Sequence, residues 1–190
     1  MTRALSIEEW ENLDEDETGE WVDGRIVEEE LPTFLHQMIA MQIAHLFMAW
    51  GDRRGAVTLG SDSKYIVSQR AGRKPDVSVY LPGRALPGRD RGASRRPPSV
   101  VVEVLSPQPR DVRRDMVDKL REYAGFGVQY YWIIDPLART LEVRQLDPSG
   151  RHVTLLSAAD GQHAAPGCEG LTIDLDALWA TADRLPESEG

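Results

Sequence analysis

The sequence predicts a single α/β domain built around a mixed β-sheet. Helical and strand patterns follow one another in the order helix, strands, helix, strands, without a repeat of fixed period. This order is typical of domains in which helices cover a sheet. The length of 190 residues suits one domain, and a hydrophobic fraction of 41% with five Trp is enough to bury a core.

The N-terminal part predicts a short helix, a hairpin and a long helix. Ser6 and Glu9 form a capping-box pattern, which predicts the short helix. Asp23-Gly24 between short apolar segments predicts a two-residue hairpin turn. A long helix ending near Gly51 is predicted by apolar residues spaced three and four apart, namely Leu35, Ile39, Ile43, Leu46, Phe47 and Trp50.

The rest of the chain predicts the strands of the sheet, one long connection and two further helices. A loop is predicted over residues 82–98, where Pro and Gly are frequent. The apolar run 99–105 predicts the most buried strand, and residues 111–126 predict an amphipathic helix. Further strands are predicted over 56–60, 64–68, 76–81, 130–134, 140–146 and 153–156, and a final helix over 174–180.

Composition excludes several classes of protein. No apolar run approaches the ~20 residues that span a bilayer, and the N-terminus becomes acidic where a signal peptide is apolar. The single Cys168 excludes an internal disulfide and a zinc site built from several cysteines. We therefore expect a cytoplasmic protein without a membrane partner.

Charge is distributed unevenly along the chain, although the net charge is −9. Residues 1–30 carry twelve acidic residues against Arg3 and Arg25, whereas residues 84–121 carry ten basic residues against five acidic ones. The basic region brackets Glu103 and can steer a polyanion towards one face of the protein. A solvated, arginine-rich loop explains the same pattern equally well.

Two acidic residues stand in strand contexts, Asp76 after Pro75 and Glu103 inside the run 99–105. Charged side chains are rarely buried unless they are paired or coordinate a metal. The long loop between the two strands lets them fold back, which would bring the two carboxylates to one edge of a sheet. A divalent cation relieves the repulsion between two such carboxylates. Mg²⁺ suits this arrangement, with the carbonyl of Val104 as a neighbouring ligand.

Simpler interpretations of these residues remain open. Asp76 after a proline also fits a turn cap, and Glu103 also fits a structural ion pair with an arginine. Asp115 and Lys119 have the spacing of an ordinary pair on a helix surface. His36 at the start of the long helix is a candidate for facing the acidic pair, or a structural or solvated histidine. Glu20 and Glu28 are candidates for a further metal carboxylate, although nothing local distinguishes them.

The acidic pair resembles the signature of the PD-(D/E)XK nuclease superfamily, in which Pro-Asp is followed after a variable gap by an acid and, two residues later, by Lys. Pro75-Asp76 and Glu103 fit this signature, whereas Leu105 stands where the Lys belongs. The chain is also similar to the Uma2 family of restriction-endonuclease-like proteins from about residue 20 to 179. The segments that carry this likeness are 21–27 with His36, 74–79, 102–107, Asp115 with Lys119 and Tyr123, 127–128, 131–136 and 170–179.

The resemblance implies a restriction-endonuclease-like core over residues 20–180. An acidic extension with a short helix (1–19) would precede it, and a tail (181–190) would follow. The implied activity is metal-dependent hydrolysis of phosphodiester bonds, and we expect the substrate to be DNA. We also expect a homodimer, because cutting both strands of a duplex requires two sites. The implied site consists of Asp76 and Glu103 as ligands of Mg²⁺ and Lys119 as the relocated lysine. To these we add the expectations of Val104 as a further ligand of Mg²⁺ or Mn²⁺ and His36 as an accessory residue. The expected phosphate contacts are Arg110, Arg113 and Arg114.

A second interpretation belongs to a different class of protein. The absence of Lys at position 105 also fits a module that keeps the nuclease fold without turnover and binds nucleic acid or a protein partner. Binding through phosphate contacts falls steeply with salt and needs no divalent ion, whereas hydrolysis needs the metal. The two interpretations therefore separate in a chelator.

Overall fold

The computed structural model describes residues 4–13, 19–27, 32–89, 92–106 and 115–186. In these ranges the chain forms an α/β fold with a mixed main sheet, which confirms the predicted fold class. Helix α1 spans Ile7–Glu11 and is followed by the hairpin strands β1 (Glu20–Val22) and β2 (Arg25–Val27). The long helix α2 spans Phe34–Gly51.

Both N-terminal predictions are confirmed. The hydroxyl of Ser6 accepts a hydrogen bond from the Glu9 backbone N–H, and the Glu9 carboxylate accepts one from the Ser6 backbone N–H, so the capping box is complete. In the hairpin turn, Asp23 and Gly24 have φ of 49° and 80°. Positive φ at both central residues is the geometry that matches the twist of the flanking strands.

The main sheet has six strands within the described ranges, in the order β10-β9-β8-β7-β6-β3. Neighbouring strands are antiparallel except β7 and β8, which are parallel and therefore need a crossover between them. The described part of this crossover contains a π-helical turn, Asp115–Lys119, and helix α3, Leu120–Phe126. The strands are β3 (Val57–Leu59), β6 (Val77–Tyr80), β7 (Val100–Val104), β8 (Tyr130–Asp135), β9 (Thr140–Leu146) and β10 (His152–Ala158).

A smaller sheet packs beside the main one, in the order β2-β1-β5-β4. Strand β4 spans Tyr65–Ser68, and β5 spans Ala71–Arg73. The sequence did not predict β5, because three residues with a central glycine carry no strand pattern. It also missed the short pair β11 (Gln162–Ala164) and β12 (Thr172–Asp174), while the predicted last helix is present as α4 (Leu175–Ala182), with Asp174 as its N-cap.

Strand β7 separates the two layers of side chains that cover the main sheet. Val100, Val102 and Val104 pack in the cluster that includes residues of α2 and α4, such as Ile39, Phe47 and Leu178. Val101 packs on the opposite face, in the cluster that contains Tyr123 of α3. Because successive side chains of a strand alternate between faces, Glu103 falls on the face of α3 rather than that of α2.

The crossover helix differs from the predicted regular α-helix over residues 111–126. Residues 111–114 lie outside the described ranges, and residues 115–119 form a π-helical turn before α3 begins. An apolar spacing of three and four does not reveal such a widened turn, which occurs frequently at functional sites. Gly127 follows α3 with a φ of 93°, so the helix ends at residue 126 as predicted.

Helix α3 is held at both ends by β10. The ring nitrogens of His152 lie 3.3 Å from the carbonyl oxygen of Leu120 and 2.9 Å from that of Val128. Burial lowers the pKa of His152. These contacts fix the helix that carries Tyr123 against the sheet.

The N-terminal helix packs on the smaller sheet. Trp10 of α1 is 1% exposed and clusters with Trp21 and Ile66. Its indole N–H donates to the carbonyl of Gly19.

The division of the chain at residues 19 and 180 stays a prediction. No helix in the described ranges is long and apolar enough to cross a membrane.

Candidate active site

A buried network of charged side chains lies on the α3 face of β7. It consists of Glu20, Arg73, Glu103, Lys119 and Glu122, which we call the buried ion network. The Lys119 ammonium is 2.9 Å from Glu103 Oε2 and 3.2 Å from Glu20 Oε1. The side chains of these three residues are 5% exposed or less. Lys119 is therefore not a member of a surface pair, and it does reach one acid of the predicted pair.

Arg73 forms the second cationic centre of the buried ion network. Its guanidinium donates to Glu20 Oε2 at 2.7 Å and to Glu122 Oε2 at 2.6 Å. Glu20 also accepts a hydrogen bond from the Lys74 backbone N–H. Both oxygens of Glu20 are thus engaged, and the arginine ties β1, β5 and α3 together.

Glu103 is held from α3 by two side chains. Lys119 binds Oε2, and the hydroxyl of Tyr123 donates to Oε1 at 2.6 Å. Residues four apart at this junction therefore reach the same carboxylate. Burial, and then the charge of Glu103, raise the pKa of Tyr123 well above its usual range. The phenol consequently stays protonated and remains a donor.

Asp76 lies at the other end of the candidate site, beside the start of α2. Its Oδ2 accepts a hydrogen bond from the Val104 backbone N–H at 2.7 Å. His36 Nε2 lies 3.3 Å from the same oxygen. The side chains of His36 and Asp76 are 12% and 15% exposed. The structure therefore brings the predicted accessory histidine into contact with the first acid.

A hydrogen bond from the Val104 backbone N–H brings the Asp76 carboxylate next to the strand that carries Glu103. Strands β6 and β7 are antiparallel and pair Val77 with Val102. Asp76 directly precedes β6, so it lies just beyond the last residue pair of this ladder. The bond from Val104 to Asp76 shows that the two strands stay together at this point.

The donor set fits a divalent cation that keeps part of its water shell. Asp76 and Glu103 supply carboxylate oxygens beside the backbone of Val104, and Mg²⁺ is bound by one or two carboxylates with retained waters. An ionised carboxylate has about four acceptor positions, so Glu103 can bind Lys119, Tyr123 and a cation together. Within the described ranges, no group of three His, Cys, Asp or Glu side chains converges, so these residues form no cage of protein ligands alone.

The balance of charge also favours a cation. In the buried ion network and Asp76, the carboxylates are Glu20, Asp76, Glu103 and Glu122, and the cations are Arg73 and Lys119. Four acids against two bases leave a formal excess of negative charge when His36 is neutral. A site of low dielectric makes such an excess costly, and a bound cation reduces that cost.

Glu20 stays ionised in spite of its burial. Burial alone would raise the pKa of this carboxyl, but the charges of Lys119 and Arg73 and the hydrogen bonds from Lys74 and Arg73 hold the pKa below its usual value. Burial would likewise lower the pKa of Arg73, whereas Glu20 and Glu122 raise it. Glu20 and Arg73 therefore each favour the charged form of the other.

The lowered pKa of Glu20 predicts a specific loss of stability in acid. A carboxyl with a folded-state pKa below the unfolded value of 4.5 stabilises the fold above that pH, and the stabilisation is lost as the pH falls through the folded pKa. Urea unfolding between pH 7 and pH 3 should show a shallower decline of unfolding free energy for Glu20→Gln than for the wild type. Parallel curves for the two proteins would contradict this assignment.

Sequence reasoning missed two residues of the site, and some of the residues that it named lie outside the described ranges. Arg73 carried no signal because β5 was not predicted, and Glu20 was not distinguished from nearby acids. The pairing partner of Glu103 is Lys119, not the arginine of the simpler interpretation. Arg110, Arg113, Arg114 and Glu28 lie outside the described residues. Cys168 is buried, which raises its pKa to about 11.

The signature position Leu105 has a structural role. Its side chain is 6% exposed and packs in the apolar cluster with Val101 and Tyr131. A lysine ammonium at this position would lie among apolar side chains. Lys119 brings a cation to Glu103 from the crossover instead.

Comparison with known proteins identifies the family of this chain. A sequence profile named Uma2, with the description "Putative restriction endonuclease", matches residues 6–179. The chain belongs to the Uma2 family. Comparison with functionally curated proteins finds no match.

A solved structure shares the fold of this Uma2 member. It is described as a "putative nuclease belonging to DUF820" from Anabaena variabilis. The two structures superpose with a TM-score of 0.70, covering 94% of this chain and 99% of the other. With 20% sequence identity, the likeness establishes a shared nuclease-like fold.

Proposed function

We propose that this Uma2 protein is a metal-dependent nuclease that hydrolyses phosphodiester bonds of DNA. The observation that supports the proposal most directly is the contact between Lys119 and Glu103. It supplies an ammonium group next to the acidic pair although Leu105 occupies the signature lysine position. Membership of the Uma2 family and the nuclease-like fold support the same reaction class.

In the proposed reaction, each residue has a separate task. Asp76, Glu103 and the carbonyl of Val104 would hold Mg²⁺ or Mn²⁺. When bound, such an ion polarises the phosphodiester and lowers the pKa of an attacking water. Lys119 orients the water and stabilises the negative charge that develops on the phosphoryl oxygens. Tyr123 fixes Glu103, and His36 orients Asp76 through their contact.

Substrate binding is assigned to the basic part of the crossover. Arg110, Arg113 and Arg114 follow the strand that carries Glu103, so in sequence they precede the lysine of the site. Guanidinium groups bind phosphates with paired hydrogen bonds. We propose that these arginines contact the DNA backbone and draw an otherwise acidic protein to its substrate.

The proposal is tested by cleavage of plasmid and single-stranded DNA with Mg²⁺, Mn²⁺ or a chelator. Wild type should cleave with either metal and lose activity in the chelator. Asp76→Asn and Glu103→Gln should each lower the rate on the order of 100-fold or more, because the reaction loses a preorganised charge. Asp62→Asn, which changes a fully exposed acid, is the matched control.

Two results would contradict the proposal. Cleavage that persists in the chelator, or equal rates for wild type, Asp76→Asn and Glu103→Gln, would remove the metal site. DNA binding without cleavage under every metal condition, and falling steeply with salt, would instead identify the non-catalytic binding module.

A further inference from the structure

Helix α2 presents an apolar face to solvent. Phe34, Met41 and Met48 are 83%, 65% and 41% exposed, and they recur every seven residues. Two helical turns separate such residues, so they form one stripe along the outer side of the helix. The opposite side, with Ile39 and Phe47, is buried against the main sheet.

The same helix carries no formal charge. Phe34–Gly51 contains no Asp, Glu, Lys or Arg, although 28% of the whole chain is charged. An exposed helix normally keeps its outer face polar and charged. With a net charge of −9, two copies of this chain repel each other over most of their surface. The uncharged outer face of α2 is a place where two copies can approach without that repulsion.

Five exposed positions of this face are arranged symmetrically about Met41 in the sequence. Gln37 and His45 lie four residues before and after it, and Phe34 and Met48 lie seven residues before and after it. All five side chains are exposed. In an antiparallel pair of identical helices, Phe34 of one copy would lie beside Met48 of the other, and Gln37 beside His45. Apolar positions would then meet apolar ones, and polar positions would meet polar ones.

We propose that two copies of this chain associate through α2, antiparallel, about a two-fold axis that passes at Met41. The interface is isologous, since the same patch serves both copies. The 18 residues of α2 give a contact about 27 Å long. A contact of one helix per copy is small, so the dimer is reversible, with a dissociation constant on the order of micromolar.

Single-cysteine variants test both the surface and the direction of packing. Under oxidising conditions Met41→Cys should cross-link to itself, because the two-fold axis brings the two copies of position 41 together. Phe34→Cys and Met48→Cys should each cross-link poorly alone and efficiently when mixed. Leu137→Cys, at an exposed apolar residue between β8 and β9, is the control. The natural Cys168 is 1% exposed and does not interfere.

Sedimentation over a range of concentrations gives an independent measurement that does not depend on nuclease activity. Wild type and Leu137→Glu should both dimerise, whereas Met41→Glu should stay monomeric, because it places two like charges at the axis. Circular dichroism should show that Met41→Glu remains folded, since the residue is exposed. A monomeric wild type, or equal self-cross-linking of all three α2 variants, would overturn the proposal. DNA binding lost in Met41→Glu without a change in sedimentation would assign this face to nucleic acid and would also overturn it.

Discussion

Replacing Lys119 with methionine should lower DNA cleavage by about 100- to 1,000-fold, the loss that follows removal of one preorganised charge-stabilising donor. Methionine keeps most of the length of the side chain but removes the ammonium that contacts Glu103 and Glu20. Cleavage rates should be measured at a temperature where circular dichroism shows a folded variant. The substitution also leaves two buried carboxylates without a shared cation, so the unfolding free energy should fall by about 3–5 kcal/mol.

The matched control for this variant is Arg121→Met. Arg121 lies two residues further along the same helix and is exposed, so its loss changes the charge by the same amount without touching Glu103. Lys119→Arg gives a further comparison, because it retains the charge but not the compact ammonium. A folded Lys119→Met protein that cleaves at the wild-type rate would show that the lysine is structural only.

Replacing Arg73 with methionine should lower the free energy of unfolding by about 3–5 kcal/mol. The guanidinium is 1% exposed and is the partner of both Glu20 and Glu122, so its removal leaves acidic groups uncompensated between two strands and α3. Urea unfolding followed by circular dichroism measures this change. Because Glu20 also binds Lys119, the position of the lysine should alter in the variant as well.

Arg70→Met is the control for this measurement. Arg70 precedes β5 and pairs with Asp23, but its side chain is 80% exposed. Ion pairs in solvent contribute little to stability, so this variant should unfold at the wild-type urea concentration. Equal midpoints for Arg73→Met and wild type would contradict the role of the buried ion network.

The sequence predicted the acidic pair because a carboxylate inside the continuous apolar run 99–105 makes Glu103 conspicuous. The same reasoning identified Lys119 through its spacing from Tyr123 and through the family resemblance. It could not identify Arg73 or rank Glu20, since their meeting depends on the pairing of β1 with β5. Such pairing joins distant parts of the chain, and no local pattern in the sequence records it.

The helices show the same difference between features that local residues determine and features that they do not. Capping residues and terminal glycines predicted where α1, α2 and α3 begin or end, because those signals are local. The π-helical turn at Asp115–Lys119 was not predicted, since one widened turn of five residues is too short to change the apolar pattern recognisably. The contacts of Lys119 and Tyr123 with Glu103 lie beside this turn.

The buried ion network joins parts of the chain that are far apart in sequence. Arg73 lies 53 residues from Glu20 and 49 from Glu122, while Lys119 also binds Glu20. Contacts of this kind form late in folding, because closing long loops costs entropy before the contacts form. An unfinished or partly unfolded chain therefore lacks the assembled buried ion network.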